Sequence, residues 1–322
     1  MLEKILLKLS DGEFHSGDEL GETLGVTRTA VWKRIKHVRE LGLPLISVKG
    51  KGYYIEGGLD LLSSSRVGEE LTPAAKALIS ELEIFSVLAS TNQRAIEKAL
   101  PGCNGYVCTA EQQKAGRGRR GRAWVSPFAA NIYFSVVWEF TGGAAMLEGL
   151  SLAVGVAAAE ALSEVGVEGV RLKWPNDVLV GDKKLSGVLL EMIGDAEGPC
   201  RVIVGVGLNV AMPEGAGKLI EQPWTDIKST GISNISRSKL LAVLLNKIMP
   251  MLAEYEGNGF GRYRDRWQAL DAYKGQEVFI RHGDNVEYGV AGGVDSSGAL
   301  ILETAFGKKV YHGGEVSLRR AD

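Results

Sequence analysis

The stretch Gly116-Arg117-Gly118-Arg119-Arg120-Gly121-Arg122-Ala123-Trp124 interleaves glycine with arginine and closes on a tryptophan. Glycine lets a backbone approach a ligand closely, and the arginine guanidinium matches phosphate and carboxylate. The same letters also suit a disordered segment that binds nucleic acid loosely. The flanking sequence favours a folded loop, because residues 106–110 and 131–138 each read as a strand. We therefore predict an anion-binding loop between two strands of a folded domain.

The composition is that of a globular protein with room for two or three domains. The 322 residues are 45% hydrophobic and 24% charged, and the formal net charge is −2. Any attraction to DNA must therefore come from a local patch. The three cysteines lack metal-ligand spacing, which suits a reduced compartment. No secretory signal pattern opens the chain, so we expect a cytoplasmic protein that has no membrane partner.

The first sixty residues have the layout of a winged helix-turn-helix. Apolar residues at helical spacing predict three helices, with Ser16 and Thr27 as N-caps of the second and third. Gly25 makes the turn between those two helices, and Gly42 ends the third. Two short strands around the tip Lys49-Gly-Lys-Gly52 then predict a hairpin with a basic tip.

The charge of this region favours DNA as its partner. Residues 26–52 contain seven basic side chains and one acid, Glu40. The start of the third helix would meet base edges, and the hairpin lysines would meet phosphate. The candidate DNA-binding residues are Thr27, Arg28, Thr29, Lys33, Lys49 and Lys51. A small protein-interaction domain with a solvated basic face is the alternative interpretation. One such module binds weakly, so we expect a dimer on half-sites about 34 Å apart.

Three domains are expected, over 1–60, 61–271 and 272–322. The composition changes over 57–71, which contains the short runs Gly57-Gly58, Ser63-Ser-Ser65 and Glu69-Glu70. This segment is predicted to be a linker and the first turn of the next domain.

A polar run, Ser90-Thr-Asn-Gln93, lies between a predicted strand over 84–87 and a predicted helix. Ser90 or Thr91 could simply be the N-cap of that helix. These side chains could equally offer neutral donors and acceptors to a ligand. Gln113, which precedes the arginine loop, has the same chemical character.

A second polar group follows the predicted strand over 171–174. Asn176 and Asp177 could hold a metal ion or a ribose, or they could be turn residues that bond their own backbone. The hairpin after them carries Lys184 at the start of its second strand. A lysine at such a position more often faces solvent, and the sequence does not decide between that placement and a role in a site.

Two familiar nucleotide-binding motifs are absent. Gly205 and Gly207 form a G-x-G in the predicted buried strand over 201–210, but no third glycine and no helix follow. The sequence also lacks a G-x-x-x-x-G-K-[ST] loop. Any ATP site must therefore belong to another fold.

The remaining sequence predicts helices and then short strands. A helix is expected over 239–255, with Pro250 kinking or ending its regular run, and another over 260–270. From Gly275 onward, short strands separated by turn residues predict a small SH3-like β-barrel.

Taken together, these motifs resemble those of the biotin–protein ligases, specifically the bacterial type that also represses biotin synthesis. The matching stretches, in the family's order, are Ser90-Thr-Asn-Gln93, Gln113, Gly116–Trp124, Lys173-Trp-Pro-Asn-Asp177, Lys184-Leu-Ser-Gly187 and Gly205-Val-Gly-Leu-Asn209. The resemblance also covers the winged helix and the barrel. It implies an α+β fold whose central domain is a class II synthetase-like mixed sheet with helices on one side.

The resemblance implies a two-step reaction, in which biotin and Mg-ATP form biotinyl-5′-adenylate before a carrier-protein lysine takes the biotin. Lys184 and Arg119 are the implied catalytic residues. The implied biotin-binding residues are Ser90, Thr91, Asn92, Gln113, Arg117, Gly118, Arg119 and Lys184. The implied ATP- and adenylate-binding residues are Arg119, Arg122, Trp124, Asn176 and Asn209. Asp177 is the candidate Mg²⁺ ligand, through Mg-ATP, and no tightly bound metal is expected.

The resemblance also implies partners and regulation. The biotin carboxyl carrier protein would supply the acceptor lysine, and biotin would be both substrate and effector. The adenylate-bound protein would form a homodimer that places two winged helices on operator DNA. Three alternatives stay open: a ligase whose winged helix does not repress, a non-catalytic biotin-sensing transcription factor, and a lipoate ligase.

Overall fold

The structure is a computed structural model that describes residues 2–194, 198–282, 285–313 and 316–320. Within these ranges the chain forms a helical N-terminal unit, a central mixed sheet with helices, and a C-terminal antiparallel sheet. This architecture confirms the predicted fold class. The predicted first and last domains, 1–60 and 272–322, include residues 1, 321 and 322, which lie outside the described residues.

The N-terminal unit is three helices and a two-stranded hairpin. Its elements are α1 (Leu2–Leu9), α2 (Gly17–Leu24), α3 (Arg28–Glu40), β1 (Leu45–Val48) and β2 (Gly52–Ile55). The Ser16 hydroxyl accepts the Glu19 N–H at 3.0 Å, and Thr27 accepts the Ala30 N–H at 3.4 Å. Both predicted N-caps are therefore confirmed, and they set the start of α2 and of α3.

The central unit is a seven-stranded sheet in the order β3-β4-β5-β9-β8-β7-β6. Its strands are β3 (Glu81–Leu88), β4 (Tyr106–Gln113), β5 (Ile132–Phe140), β6 (Val170–Lys173), β7 (Asp177–Val180), β8 (Lys183–Gly194) and β9 (Cys200–Leu208). Its helices are α4 (Ser64–Glu70), α5 (Pro73–Leu78), α6 (Thr91–Lys98), α7 (Leu150–Glu164), α8 (Glu214–Gly217), α9 (Arg237–Asn258) and α10 (Gly261–Leu270). Strands β3 and β4 run parallel, and the other neighbours in this sheet run antiparallel.

Helices cover both faces of the sheet, so the expectation of helices on one side was wrong. Val136 of β5 lies in the large core that includes α7 and α9, whereas the next residue, Val137, packs with Ala95 and Ala99 beside α6. Successive strand residues point to opposite faces. Helix α6 therefore occupies the face away from α7 and α9, and it stands on the side where the candidate site lies.

Helix α7 is apolar enough for residues 144–164 to pass for a membrane span by length and composition, with a mean hydropathy of 1.5. Its residues are nevertheless mostly buried, in the core that α7 shares with α9 and the sheet. The apolar character of α7 is therefore that of a core helix.

The structure refines two local predictions. The segment 57–71, predicted to be a linker and the first turn of the next domain, contains the helix α4, which Ser63 caps and whose Val67 is fully buried against the core. The helix predicted over 239–255 is confirmed, and it does not end at Pro250: α9 runs to Asn258, with Met251 and Leu252 buried. In both cases packing against the core outweighs local composition, which is all that a sequence window reports.

A buried ion pair holds the segment between the first two units. The Arg237 guanidinium pairs with the Glu111 carboxylate at 2.5 Å, and both side chains are less than a tenth exposed. Glu111 also accepts the Leu62 N–H at 2.7 Å, and Arg237 donates to the Asp60 carbonyl through Nε at 2.9 Å. The connection is thus fastened to the central unit by charge-assisted hydrogen bonds.

The C-terminal unit is a five-stranded antiparallel sheet in the order β13-β12-β11-β10-β14. Its strands are β10 (Glu277–His282), β11 (Asn285–Val294), β12 (Leu300–Thr304), β13 (Gly307–Tyr311) and β14 (Val316–Arg320). The indole of Trp174, the residue after β6, donates to the Gly298 carbonyl at 3.1 Å. The unit therefore packs beside the strands β6 and β7, where the polar residues of the candidate site begin.

Candidate active site

Small residues form the floor of a large cavity on the α6 face of the sheet. Gly207 of β9 lies opposite Gly187 of β8, and Gly205 of β9 lies opposite Ser135 of β5. A Cβ at Gly205 would overlap the Asn92 side chain, and one at Gly207 would overlap the Trp124 indole. The absent side chains therefore let polar and aromatic groups lie directly on the sheet. The cavity measures about 970 Å³.

One end of the cavity is lined by side chains that are polar and uncharged, and behind them the Glu191 carboxylate accepts from Asn92 Nδ2 at 2.7 Å. The side-chain oxygen Oε1 of Gln113 accepts the Thr91 N–H at 2.9 Å, and the Ser135 hydroxyl donates to Asn92 Oδ1 at 2.6 Å. Ser90 accepts the Gln93 N–H at 3.5 Å as the N-cap of α6. Ser90, Thr91 and Asn92 are each about 5% exposed, yet all three line the cavity. The capping interpretation of Ser90 is therefore correct, and it does not exclude contact with a ligand.

The arginine loop is an ordered, tight turn. The Gly118 N–H donates to the Arg122 carbonyl at 2.7 Å, and the Trp124 N–H donates to the Gly116 carbonyl at 2.9 Å. Arg120 and Gly121 at the tip have φ values of 57° and 71°. A Cβ at Gly116 would lie 2.8 Å from the Ser126 hydroxyl, so this position has no room for a side chain. The disordered alternative therefore does not describe this loop.

The loop arginines differ in their surroundings. Arg119 is half-buried and donates to Asn176 Oδ1 at 3.3 Å. Burial lowers the pKa of Arg119, and the nearby Asp177 carboxylate opposes that shift. Arg117 and Arg122 are exposed, with Arg117 donating to the Gln93 side chain at 3.4 Å. Arg119 is thus the loop cation held deepest beside the second polar group.

Lys184 is enclosed, contrary to the solvent-facing placement that is usual for such a lysine. Its side chain is 15% exposed, and its ammonium lies 2.6 Å from Asp177 and 5.3 Å from the Trp124 ring centroid. The Lys184 backbone pairs with residues 223–225, since its N–H donates to the Pro223 carbonyl at 3.0 Å. That distant segment covers the hairpin edge that would otherwise face water.

Asn176 and Asn209 each use a side-chain nitrogen to hold the backbone. Asn176 Nδ2 donates to the Val188 carbonyl at 2.6 Å, and Asn209 Nδ2 donates to the Thr225 carbonyl at 3.0 Å. The oxygen of Asn176 accepts from Arg119, and both residues line the cavity. Asn176 is therefore a turn residue and a cavity residue at once.

Sequence reasoning missed two walls of the cavity. One is the segment 219–224, and the other comes from the C-terminal sheet and the residues before it, including Tyr273, Arg319 and Arg320. No local motif marks either wall, because both reach the cavity only through the packing of distant elements. Lys173, quoted only within a motif, also lines the cavity, with its ammonium 5.4 Å from the Tyr273 ring centroid.

The cavity is strongly cationic. Its lining includes eight lysines and arginines against two acids, Asp177 and Glu221. Burial lowers the pKa of Lys173; Asp177 opposes this shift, whereas the nearby charges of Lys184 and Arg319 add to it. Crowded, partly desolvated cations of this kind are stabilised by a polyanion. An extended ligand that is neutral at one end and multiply anionic in the middle fits this arrangement.

No ready metal cage is present in the parts of the chain that the structure describes, since no three His, Cys, Asp or Glu side chains there share one point. Asp177 offers one carboxylate beside Lys184. The donor set suits a Mg²⁺ ion that arrives on the phosphates of a nucleotide, because Mg²⁺ keeps several of its ligands from water and phosphate.

The candidate DNA-binding residues lie in the N-terminal unit, apart from the cavity lining. Thr27, Arg28 and Thr29 are exposed at the start of α3, and Lys33 is exposed on the same helix. Lys49 and Lys51 are exposed at the hairpin tip, with the Lys51 ammonium 5.5 Å from the Phe14 ring centroid. The two basic regions of the chain thus belong to different structural units.

Three family models match the chain in the same order as the three structural units. A model described as "HTH domain" matches residues 2–54, and "Biotin/lipoate A/B protein ligase family" matches residues 84–209. "Biotin protein ligase C terminal domain" matches residues 274–319. Each matched range lies inside one of the three predicted domains.

Full-length relatives and a solved structure agree with these models. The "Bifunctional ligase/repressor BirA" of Escherichia coli is 38% identical over 319 residues, which cover 99% of this chain and 97% of that protein. The protein of the same name from Bacillus subtilis is 29% identical over 322 residues, covering 98% of each chain. The structure of "Biotin protein ligase from Aquifex aeolicus in complex with biotin and ATP" is 30% identical, covers 76% of this chain and 100% of that chain, and has a TM-score of 0.64.

Proposed function

The chain belongs to the biotin–protein ligase family, and from this premise we propose how its residues divide the work of the reaction. It is an ATP-dependent biotin ligase that also carries a DNA-binding domain of the ligase/repressor type. The observation that carries the proposal is a single cavity that joins a neutral polar end to a cationic centre. Biotin has a neutral ureido ring at one end and a carboxylate at the other, so it matches this polarity.

In the proposed arrangement, the ureido ring lies at the polar end. Thr91, Asn92 and Gln113 supply neutral donors and acceptors there, with Ser135 holding Asn92 in place. The biotin chain then runs past the Asn92 side chain and the Trp124 indole, which lie directly on the glycines of β9. Its carboxylate arrives beside Lys184 and the loop arginines.

The first step joins two anions, so positive charge must stand between them. A biotin carboxylate oxygen attacks the α-phosphorus of ATP, the bond to the bridging oxygen breaks, and pyrophosphate leaves. Lys184 stabilises the approaching oxygens, and Arg119 holds carboxylate and phosphate through its paired N–H groups. Trp124 on the glycine floor offers its ring to the adenine, and Asp177 offers an oxygen to the Mg²⁺ of Mg-ATP.

The second step needs no nucleophile from this chain. The unprotonated ε-amine of a lysine on the biotin carrier protein attacks the adenylate carbonyl, an amide bond forms, AMP leaves, and the displaced amine proton passes to solvent. The adenylate is a hydrolysable mixed anhydride, so water must be kept away from it. The arginine loop on one side and the segment 219–224 on the other are the parts of the chain that enclose it.

The test of the ligase activity is the release of pyrophosphate from ATP by the purified protein. We expect release that depends on biotin, and transfer of labelled biotin to a biotin carrier domain when that domain is added. Release that continues without biotin, or the absence of transfer, would contradict the proposed reaction. Lipoic acid in place of biotin is the matched control, because it keeps the carboxylate and lacks the ureido ring.

The regulatory part of the proposal concerns the winged helix. We propose that the adenylate-bound protein forms a homodimer in the cytoplasm and places two winged helices on a symmetric operator near the biotin synthesis genes. The excess of basic residues around α3 and the hairpin supports it. A gel shift with and without biotin and ATP tests this regulation. If the shift of the DNA band is the same with and without biotin and ATP, or if no shift occurs, the proposed biotin-responsive repression is contradicted. The protein would then be a ligase that does not repress in response to biotin.

A further inference from the structure

A groove of about 310 Å³ lies between the third helix and the hairpin of the N-terminal unit. Its lining residues are Trp32, Ile35, Lys36, Arg39, Ser47 and Tyr53. Ser47 of β1 and Tyr53 of β2 face each other across the hairpin. None of these residues is among the candidate DNA contacts that the sequence indicated.

The most unusual member of this groove is Trp32, which is 61% exposed on α3. The buried face of the helix is formed instead by Val31, Ile35 and Val38. An indole that faces water gains nothing for the fold, although its flat, amphipathic ring is well suited to a partner surface. The exposure of Trp32 therefore indicates that the groove binds a partner molecule.

The charge around the indole narrows the choice of occupant. Lys36 and Arg39 are exposed one and two turns after Trp32, so the three side chains stand along one helix face. No lining residue is acidic. The groove is formed by α3 and the hairpin, the two elements whose other residues are already expected to contact DNA. An apolar ring beside two cations matches deoxyribose next to phosphates.

We propose that this groove seats the sugar–phosphate backbone of one strand of duplex DNA. Lys36 and Arg39 hold consecutive phosphates, and the Trp32 ring packs on the deoxyribose that lies beyond the phosphate held by Lys36. The contact sets the position of α3 on the duplex without reading bases. The proposal rests on the proposed DNA binding of the winged helix, and it adds a contact that is independent of sequence.

The test is a titration of the full-length protein, with biotin and ATP present, into two labelled duplexes over a series of salt concentrations. One duplex contains the control region of the biotin synthesis genes, and the other has the same composition in scrambled order. Replacing Lys36 or Arg39 by glutamine removes one phosphate contact from each protomer, so the slope of log affinity against log salt should become shallower by about 0.9 per bound protomer, or about 1.8 for the homodimer. Trp32→Ala should weaken binding about tenfold on both duplexes, with the salt slope unchanged.

Matched controls come from the exposed face of α1, in the same unit. Leu7→Ala removes an equally exposed apolar side chain, and Lys4→Gln removes one positive charge. Neither should change affinity or slope as the groove variants do. Hydrogen exchange of the Tyr53 amide, which pairs with His15, checks that the N-terminal unit of every variant is folded. Ligase activity should be unchanged, because none of these residues lines the catalytic cavity.

The outcomes separate the groove from the repressor function. Equal binding of both duplexes by the unaltered protein would end the operator proposal, while the scrambled duplex would still report on the groove. If Trp32→Ala binds both duplexes as tightly as the unaltered protein, the proposal that the groove binds the sugar–phosphate backbone is wrong. It is also wrong if Trp32→Ala loses affinity only for the control-region duplex.

Discussion

The Lys184 ammonium lies 2.6 Å from the Asp177 carboxylate, although the two residues are not opposite each other in the sheet. Asp177 is paired with Gly187, and Lys184 is paired with Leu179 after a shift in register. A Cβ at Gly187 would lie 3.1 Å from the Lys184 ammonium nitrogen. The missing side chain of Gly187 thus lets the lysine reach across to Asp177, over the floor of the cavity.

Replacing Lys184 by alanine should remove the cation placed between carboxylate and α-phosphate. We expect biotin-dependent pyrophosphate release to fall by at least about 10²–10³-fold, as for loss of one preorganised donor. Lys183→Ala is the matched control, because Lys183 is exposed on the same strand. Steady-state pyrophosphate release is the measurement, and near-normal release by Lys184→Ala would remove this residue from the mechanism.

Replacing Arg119 by glycine should loosen the retention of the adenylate, because Arg119 is the loop arginine that reaches the second polar group. We expect biotinyl-adenylate to escape and to label exposed lysines of a bystander protein such as albumin. Arg120→Gly removes the same charge from the exposed tip of the same loop, where φ is already 57°, and should leave labelling confined to the carrier domain. If Arg119→Gly stays equally selective, the retention model fails.

Replacing Gly207 by alanine should displace Trp124 from the sheet, because the added methyl group would overlap the indole. Overpacking costs of about 1–3 kcal/mol correspond to a KM for ATP raised roughly five- to 150-fold, given that Trp124 is proposed to hold the adenine. Gly257→Ala in α9 has open space around the new Cβ and serves as the control. An unchanged KM for ATP in the Gly207→Ala protein would argue that Trp124 does not touch the nucleotide.

His15 should make the hairpin of the N-terminal unit sensitive to pH. Its ring lies between Glu19 and Asp11, at 2.8 and 2.9 Å, and its backbone pairs with Tyr53 of the hairpin. Burial alone would lower the pKa of His15, but hydrogen bonds to the two carboxylates outweigh it and raise the pKa. The contacts of the protonated His15 ring with the two carboxylates therefore stabilise the folded N-terminal unit fully below the ordinary histidine pKa of about 6.5. This stabilisation is lost as pH rises through the higher pKa of His15 in the folded state.

The measurement is hydrogen exchange of the Tyr53 amide, whose N–H donates to the His15 carbonyl at 2.9 Å. His15→Gln should reduce its protection by about 1 kcal/mol near pH 6 and by less near pH 9. Comparing variants at each pH cancels the intrinsic exchange rate, and His37→Gln on exposed α3 is the control. If His15→Gln reduces the protection of the Tyr53 amide equally at both pH values, the contact of His15 with the two carboxylates does not depend on its charge.

Much of the fold follows from short-range signals. Ser16, Thr27 and Ser90 cap the helices that their neighbours predict, because a cap is a contact over three residues. The extent of the helix α4 was missed, since it depends on the burial of Val67 against elements far away in the chain.

Local sequence patterns predict the order of the three structural units, most of their helices and strands, and the polar and cationic residue types of the cavity. They do not predict how these residues come together in space. The register of β8 against β9 aligns Gly187 with Gly207, and the packing of the segment 219–224 and the C-terminal sheet forms the remaining walls of the cavity. Caps and periodicity depend on residues within a few positions of each other, whereas register and packing join residues that are far apart in the chain, so no local pattern reports them.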